Sequence, residues 1–283
     1  MITLKNEFIT AKFNEKGAEL KSLVCNDKEY IWCGDEKFWA SSAPILFPIC
    51  GGLKDDEYYY GGKKYTMKRH GFVRFCMFEV ERADEESVTF LLRSNEESRE
   101  QYPFDFELRA SYTLENKSLK VSYSVKNCSE ETMYFSVGAH EGFSCPEGIE
   151  EYEILLPEKE TLDATIVDGP ILSHNTERII ENDDKIALKN EYFTIDALVF
   201  KNMKAKSVTL KHRNGERALK LSFEGSDYFL IWTKVGAPYV CLEPWCGISD
   251  SVDTDKKLET KEGIVALCKN DSFEQAHTIE ILK

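Results

Sequence analysis

Basic residues and long apolar runs are both scarce in this chain of 283 residues. It carries 36 Lys and Arg against 50 Asp and Glu, a formal net charge of -14, and no basic cluster offsets the excess. Such a charge repels phosphate backbones and anionic membranes, so nucleic acid is not an expected partner. No stretch approaches the ~20 apolar residues of a membrane span, and residues 1–7 show no charged-then-apolar signal segment. We therefore expect a cytoplasmic protein that does not associate with membranes.

Motifs of several common enzyme and metal classes are also missing. No Gly-x-Ser-x-Gly elbow, P-loop or Gly-x-Gly-x-x-Gly occurs, which removes the usual signals of hydrolases, kinases and dehydrogenases. There is no His-x-His, His-Glu-x-x-His or Cys-x-x-Cys pair. The nine cysteines are odd in number and scattered, mostly in apolar runs, and we interpret them as reduced core thiols. The sequence predicts neither a bound metal nor a cofactor.

What the chain has in abundance is alternation of apolar and polar residues with a period of two. This pattern predicts strands at residues 9–13, 18–24, 88–92, 104–114, 119–125, 208–213, 217–223, 228–232 and 276–282. Turn signals at residues 115–117 and at Asn214-Gly215 join neighbouring strands into antiparallel pairs. Residues 95–101 form the one predicted helical turn, and Pro103 ends it.

The acidic, weakly periodic residues 147–189 are interpreted as strands joined by long loops. No internal repeat or low-complexity linker divides the chain. A single domain over residues 1–283, built as one large antiparallel sandwich, is therefore favoured over two domains.

One stretch near the C-terminal end combines a strand with a carboxylate and an aromatic ring. The apolar residues 239–242 predict a buried strand, and Glu243 follows them directly. Pro244 and Gly247 are expected to stop strand pairing, which puts the carboxylate at the end of a core strand. Trp245 beside a carboxylate suits a sugar, whose C–H face stacks on the ring while its hydroxyls bond to oxygen. The alternative is a Glu243 bonded to backbone, with Trp245 in the core.

The five histidines divide into two groups. His174, His212 and His277 fall in polar or hairpin segments or in the last strand, and we interpret them as structural or surface residues. His140 follows an apolar strand and has glycines close on both sides, while His70 precedes Gly71. Each of these two is either a satisfied core histidine or a catalyst, and the residues alone leave that open.

Six short motifs occur in an order and rough spacing shared with one protein family. They are Ala43-Pro44-Ile45-Leu46-Phe47-Pro48, Lys68-Arg69-His70-Gly71-Phe72 with Arg74, Tyr102-Pro103-Phe104, Val137-Gly138-Ala139-His140, Ile195-Asp196-Ala197-Leu198-Val199-Phe200 and Cys241-Leu242-Glu243-Pro244-Trp245. Over nearly its whole length the chain thereby resembles the aldose 1-epimerase (galactose mutarotase) family, and it looks closest to a bacterial branch of it. The resemblance implies an all-β fold, an antiparallel β-supersandwich.

The same resemblance implies a cofactor-free interconversion of the α and β anomers of a free aldose or sugar derivative. In that reaction Glu243 would take the proton of the anomeric hydroxyl, and His140 would protonate the ring oxygen. His70 would bind near the ring oxygen and Asp196 would hold hydroxyls. Opening a hemiacetal needs one proton removed and one delivered, which suits a Glu and a His.

The expected site follows from these roles. We predict that His140 and Glu243 face one open cleft, with Trp245, Trp32 or Trp39 in its wall. Trp245 and Arg74 join His70 and Asp196 as the expected substrate-binding residues.

Two positions depart from the family pattern. Gly52 falls where much of the branch carries an arginine that reaches the sugar, and Glu141 replaces a proline that is common after the histidine. A carboxylate at Glu141 would favour the protonated form of His140 and repel a phosphorylated sugar. Arg69 and Arg74 are candidates for binding an anionic substituent, with solvated surface positions as the alternative.

Two other functions stay open on the sequence. A non-catalytic carbohydrate-binding protein would use the same fold and aromatic residues. A glycoside hydrolase would need two carboxylates ~5 to 10 Å apart, and Glu243 with Asp196 or Glu141 would supply them. Neither the sugar nor the oligomeric state follows from the residues.

Overall fold

The computed structural model describes residues 1–283, and nearly all of its regular secondary structure is β-strand. The strands are β1 (Ile2–Lys5), β2 (Ile9–Phe13), β3 (Leu20–Cys25), β4 (Lys28–Glu29), β5 (Glu57–Tyr60), β6 (Lys63–Thr66), β7 (Glu79–Ala83), β8 (Ser87–Arg93), β9 (Phe106–Glu115), β10 (Ser118–Asn127), β11 (Met133–Phe135), β12 (Val137–Gly138), β13 (Glu141–Ser144), β14 (Tyr152–Asp168), β15 (Ile171–Ala187), β16 (Leu198–Phe200), β17 (Ser207–His212), β18 (Ala218–Ser222), β19 (Tyr228–Trp232), β20 (Tyr239–Cys246), β21 (Val265–Leu267) and β22 (Ser272–Ile281). One α-helix, α1 (Glu96–Gln101), and five single 3₁₀ turns complete the fold. No helix has the length and apolar composition needed to cross a membrane.

Most strands belong to one antiparallel sheet that closes over its own core. Its order is β12-β20-β19-β16-β14-β17-β18-β22-β10-β9-β8-β7, with β13 also on β20 and β15 also on β14. Strands β1 to β4 form a separate four-stranded sheet. A single cluster of 70 buried residues runs from Leu4 to Ile281 and draws on both ends of the large sheet. The all-β fold is thereby confirmed, while a single domain over residues 1–283 stays a prediction.

Several local predictions are confirmed. Strands β9 and β10 pair from Glu115↔Ser118 onward, and β17 and β18 form the hairpin predicted around Asn214-Gly215. The helical turn starts where expected, because Asn95 caps α1 by accepting a hydrogen bond from the Ser98 backbone N–H at 2.8 Å.

The interpretation of residues 147–189 as strands and long loops is right about the strands and wrong about the long loops. Strands β14 and β15 are 17 residues each and form one long hairpin with its turn at residues 169–170. Residues 174–178 and 181–185 of β15 are exposed along both faces, on either side of the buried Ile179 and Ile180, so no apolar face imposes a period of two there. The register also shifts several times along the pair, which breaks the remaining pattern.

Strand β20 does not end at Glu243 as predicted, because pairing continues through Pro244 to Cys246. Along one edge β19 pairs with it without interruption, from Trp232↔Cys241 to Tyr228↔Trp245. Along the other edge the partner changes from β13 to β12, with a break at residues 139–140.

Pro244 is tolerated inside β20 because of that break. The Pro244 carbonyl accepts a hydrogen bond from the Ala139 backbone N–H at 3.1 Å. Within a strand the N–H and C=O of one residue point the same way, so the missing proline N–H faces the break and costs no bond to β19.

The nine cysteines are all free, but the prediction of core thiols holds for only five of them. Those five are Cys25, Cys50, Cys145, Cys241 and Cys246, while Cys33, Cys128 and Cys268 are exposed and Cys76 is half-buried. Of the buried cysteines, Cys241 lies on β20, two residues before Glu243.

Candidate active site

A cavity of about 160 Å³, open to solvent, lies on the face of β19 and β20 that points away from the main core. Alternation along β20 produces this division, since Leu242 packs in the main core while Glu243 lines the cavity. The cavity brings together all six predicted site residues, which are His70, Arg74, His140, Asp196, Glu243 and Trp245.

Glu243 is almost completely buried, with 1% of its surface exposed. Burial raises the pKa of its carboxyl well above the usual range, and the Asp196 carboxylate acts in the same direction. The Arg69 guanidinium opposes the shift without cancelling it. The carboxyl of Glu243 therefore holds its proton to a higher pH than an exposed glutamate does.

His140 sits at the strand break opposite Glu243. Its Nε2 lies 3.4 Å from Glu243 Oε2, and the Trp39 ring stacks on the imidazole with centroids 4.9 Å apart. Burial lowers the pKa of His140 to about 3, and the charges of Arg74 and Arg69 contribute to the same shift. The structure thus brings the two expected acid–base residues together in one cleft with both side chains buried.

His70 is held by an unusual backbone conformation. It has φ of 70°, rare for a residue with a side chain, and Gly71 follows with φ of 68°. A Cβ on Gly71 would lie 2.1 Å from the Phe47 carbonyl oxygen, so only glycine fits there. The Gly51 backbone N–H donates to His70 Nδ1 at 3.1 Å, which leaves the imidazole proton on Nε2. Burial lowers the pKa of His70 well below the usual range, so this N–H belongs to a neutral ring.

Arg69 and Arg74 line the cavity, so the alternative that they occupy solvated surface positions away from the site is wrong. Arg69 donates from Nη2 to Asp196 Oδ2 at 2.8 Å, and Arg74 donates from Nη2 to the Arg69 carbonyl at 3.1 Å. The Nε atom of each guanidinium is buried and has no hydrogen-bond partner. Arg74 also has no carboxylate within ion-pair distance, so the cavity contains a cation with unused donors.

Three tryptophans, Trp39, Trp232 and Trp245, form the aromatic wall of the cavity. Trp245 lines the cavity but is only 3% exposed, and its indole N–H donates to the Ala139 carbonyl at 3.0 Å. Trp39 and Trp232 are half-buried and meet at 5.7 Å in an edge-on pair, so they offer more open ring surface. Of the three tryptophans offered for the wall, Trp245 and Trp39 line the cavity, whereas Trp32 does not and donates its indole N–H to the Trp39 carbonyl. Trp232 was not predicted, although it shares a strand face with Leu230, another cavity residue.

The expected effect of Glu141 on His140 is also wrong. Glu141 pairs with Leu242 across β13 and β20 and therefore points into the core, away from the cavity. There its Oε1 lies 2.8 Å from Nε2 of His277, which is buried and not a surface residue. Glu141 consequently does not contact His140 and offers no second carboxylate for glycoside hydrolysis, although its charge contributes to the raised pKa of Glu243.

The structure explains why Gly52 carries no side chain. A Cβ at this position would lie 2.4 Å from the Pro170 carbonyl oxygen, in the turn of the β14–β15 hairpin. An arginine projecting from residue 52 would displace that turn. Here the guanidinium groups of the cavity come instead from Arg69 and Arg74.

Three side chains of the cleft have the chemistry of metal ligands. His140, Cys241 and Glu243 each offer one ligand atom, and these atoms lie within 4.8 Å of one another. The sequence motifs tested for metal missed this cluster because His140 is far away in the chain. The signal that was present is the Cys-x-Glu spacing, which puts two ligands on one face of a strand.

A mostly β, galactose mutarotase-like fold with a histidine and a carboxylate facing each other in one cleft indicates the class of sugar epimerases. The family model described as Aldose 1-epimerase matches residues 1–274, and the chain belongs to the aldose 1-epimerase family. The resemblance seen in the sequence is thereby confirmed.

Individual relatives point to a bacterial branch of that family. The plasmid-encoded protein LacX of Lactococcus lactis subsp. lactis is 34% identical over 296 residues, which covers 99% of each chain. A galactose mutarotase related enzyme from Lactobacillus acidophilus has TM-score 0.95 and 35% identity, over 100% of this chain and 97% of that one. A galactose mutarotase-like protein from Lactobacillus casei ATCC 334 has TM-score 0.94 and 29% identity, over 100% of each chain.

Proposed function

We propose that this protein is an aldose 1-epimerase, a mutarotase that interconverts the α and β anomers of a free aldose or sugar derivative. The observation that carries the proposal is the 3.4 Å approach of His140 Nε2 and Glu243 Oε2 inside a cavity that is open to solvent. The two oxygens that exchange protons in mutarotation are bonded to the same carbon. An acid and a base this close together can serve both of them.

The reaction needs only one mobile proton on the pair. Burial favours the state in which His140 is neutral and Glu243 is protonated. The state with a protonated His140 and an ionised Glu243 contains the same total number of protons. Moving one proton from Glu243 to His140 converts one state into the other, so the pair titrates as a unit.

Each step of the proposed cycle balances within that pair. Glu243 takes the proton of the anomeric hydroxyl as His140 gives its proton to the ring oxygen, and the bond between the anomeric carbon and the ring oxygen breaks. The product is the open-chain aldehyde. Rotation about the adjacent carbon–carbon bond presents the other face of the carbonyl, and reversal of the proton transfers closes the ring as the other anomer.

The remaining cavity residues suit sugar binding. His70 offers an N–H donor from Nε2, and Asp196 offers acceptor oxygens on a side chain fixed by Arg69. Trp39 and Trp232 present ring faces for the C–H surface of a sugar, with the edge of Trp245 behind them. The unused guanidinium donors of Arg74 suit an oxygen-rich substituent.

The test is the substitution Glu243→Gln, which keeps the shape of the side chain and removes its ability to accept a proton. We expect anomer exchange to fall by roughly 10²–10⁴-fold while sugar affinity changes much less. The measurement is NMR or polarimetric exchange beside a binding titration, over a panel of aldoses. Glu224→Gln, at an exposed glutamate, is the matched control and should retain full exchange.

The main competing function is a non-catalytic carbohydrate-binding protein. A buried, protonated Glu243 would serve as a hydrogen-bonding group in such a protein, which is the observation in its favour. Wild-type exchange no faster than buffer on every sugar, with binding intact, would establish the binder. A Glu243→Gln variant with full exchange would move the base to another residue, with Asp196 the next candidate.

A further inference from the structure

The proposed reaction leaves one chemically active side chain of the cleft without a task. Cys241 lies two residues before Glu243 on β20, so both side chains project from the same face of the strand. Its thiol is fully buried and belongs to the same cluster of ligand atoms as His140 and Glu243, within 4.8 Å of one another. His140 Nδ1 is buried and has no hydrogen-bond partner, so the imidazole is not tied to any other group through that atom.

The ligand set and its dimensions suit a transition-metal ion of the zinc class. Zinc takes imidazole nitrogen, thiolate sulfur and carboxylate oxygen at about 2.0 to 2.3 Å, so neighbouring ligand atoms lie roughly 3 to 4 Å apart around it. The 3.4 Å between His140 Nε2 and Glu243 Oε2 is already in that range. Three protein ligands leave a fourth position, which a water molecule from the cavity can fill.

We propose that His140, Cys241 and Glu243 form a binding site for a zinc-class ion, and that the bound ion inhibits the enzyme. On binding, the Cys241 thiol and the Glu243 carboxyl each release a proton to solvent, and sulfur, nitrogen and oxygen each donate an electron pair to the ion. The imidazole and the carboxylate are then occupied and unable to transfer protons to a sugar. The inhibition rests on the proposed function, whereas binding of the ion does not.

Binding is tested directly on metal-free protein. We expect wild type to bind Zn²⁺ in a calorimetric titration, and Co²⁺ to give a thiolate-to-metal charge-transfer band in the near ultraviolet. Cys241→Ser should lose that band and weaken Zn²⁺ binding by more than about 100-fold, because it removes a ligand atom and not merely a hydrogen-bond partner of a ligand. Mg²⁺, which prefers oxygen ligands, should not compete.

The matched control is Cys25→Ser, which removes another buried thiol in a separate sheet and should leave the band and the affinity unchanged. The three exposed thiols remain in every variant, so any Zn²⁺ that they bind contributes equally to each titration and does not affect the comparison. Should Cys241→Ser unfold, as judged by its melting curve, Cys241→Ala gives the same comparison. Equal affinity in wild type and the Cys241 variants, or an unchanged charge-transfer band, would overturn the site.

Inhibition is tested by adding Zn²⁺ to the anomer-exchange assay. Wild type should lose activity as the site fills and regain it with a chelator, and the chelator alone should leave metal-free activity intact. Cys241→Ser should keep its exchange and lose its sensitivity to Zn²⁺. If wild type exchanges no sugar at all, the proposed function fails, while the Co²⁺ spectrum still decides whether the metal site exists. Activity that requires the ion would overturn the inhibitory role.

Discussion

Burial sets the protonation of the two central side chains more strongly than any neighbouring charge does. It is the largest influence on both Glu243 and His140, and it favours the neutral form of each. The expectation from the sequence assigned that tuning to Glu141, a chain neighbour of His140. In a strand, chain neighbours point to opposite faces, so a residue next in sequence to a catalytic one is the wrong place to look for its partner.

Arg74 provides a prediction about the substrate. Its guanidinium lines the cavity with an unused Nε–H and no carboxylate partner, so an anionic group on the sugar would form a charge-assisted hydrogen bond there. We expect Arg74→Gln to lower kcat/KM for an aldose that carries a phosphate or a carboxylate by about 10-fold or more. The same change should have a much smaller effect on the corresponding neutral aldose.

The assay compares a neutral aldose with a phosphorylated aldose and a uronic acid, in wild type and variant. Arg82→Gln is the control, because Arg82 is an exposed arginine on β7. Equal losses of kcat/KM on neutral and anionic sugars would mean that Arg74 stabilises the cleft and does not recognise charge. A loss with phosphate alone, or with carboxylate alone, would identify which anion the cavity fits.

Among the strands, alternation made some features predictable and left others hidden. The apolar residues before Glu243 predicted a buried strand. The hairpins β9–β10 and β17–β18 were predictable because each has one apolar face. The path of β20 through Pro244 was hidden, since it depends on a break in the neighbouring strand. The β14–β15 hairpin was hidden as well, because much of it has no buried face.

The buried pair Glu141 and His277 ties β13, beside the site, to the C-terminal strand β22. Both side chains are almost fully buried, and Glu141 Oε2 has no other partner. We expect Glu141→Leu or His277→Leu alone to destabilise the protein by about 3–5 kcal/mol, because either change leaves one buried polar group unpaired. The double variant should cost clearly less than the sum of the two, since it leaves no unpaired group.

Urea unfolding of the wild type, both single variants and the double variant measures this coupling. The exposed pair Lys269 and Glu130 is the control, and its removal should change stability by less than about 1 kcal/mol. Additive losses for Glu141 and His277 would mean that each contributes by packing alone. Anomer exchange by the double variant would show in addition whether the pair positions His140.

In the whole molecule the site is assembled from segments that are far apart in the chain. The sequence was enough to predict His140, Glu243, His70 and Asp196 as site residues, because each lies in a motif that resembles the family. Their distances could not be read from the sequence, since these depend on how the large sheet closes and on the register of each strand. Trp232 lies in none of the motifs, and Cys241 lies in the same motif as Glu243 but was interpreted as a core thiol. Both are close to the site because their side chains face the same side of the sheet as Glu243.

The burial of His140 gives a last prediction, on global stability against pH. In the folded protein its pKa is about 3, against 6.5 for an ordinary histidine, so between these values the unfolded chain binds a proton that the folded one does not. Stability from this residue is therefore present above about pH 6.5 and is lost as pH falls toward 3, by on the order of 4 kcal/mol in all. His140→Gln should show a shallower loss of stability over this window in urea unfolding, whereas His174→Gln, at an exposed histidine, should match the wild-type curve. Parallel curves for wild type and His140→Gln from pH 7 to 3 would mean that the folded protein protonates His140 as readily as the unfolded chain does, and the neutral resting state proposed for the acid–base pair would have to be abandoned.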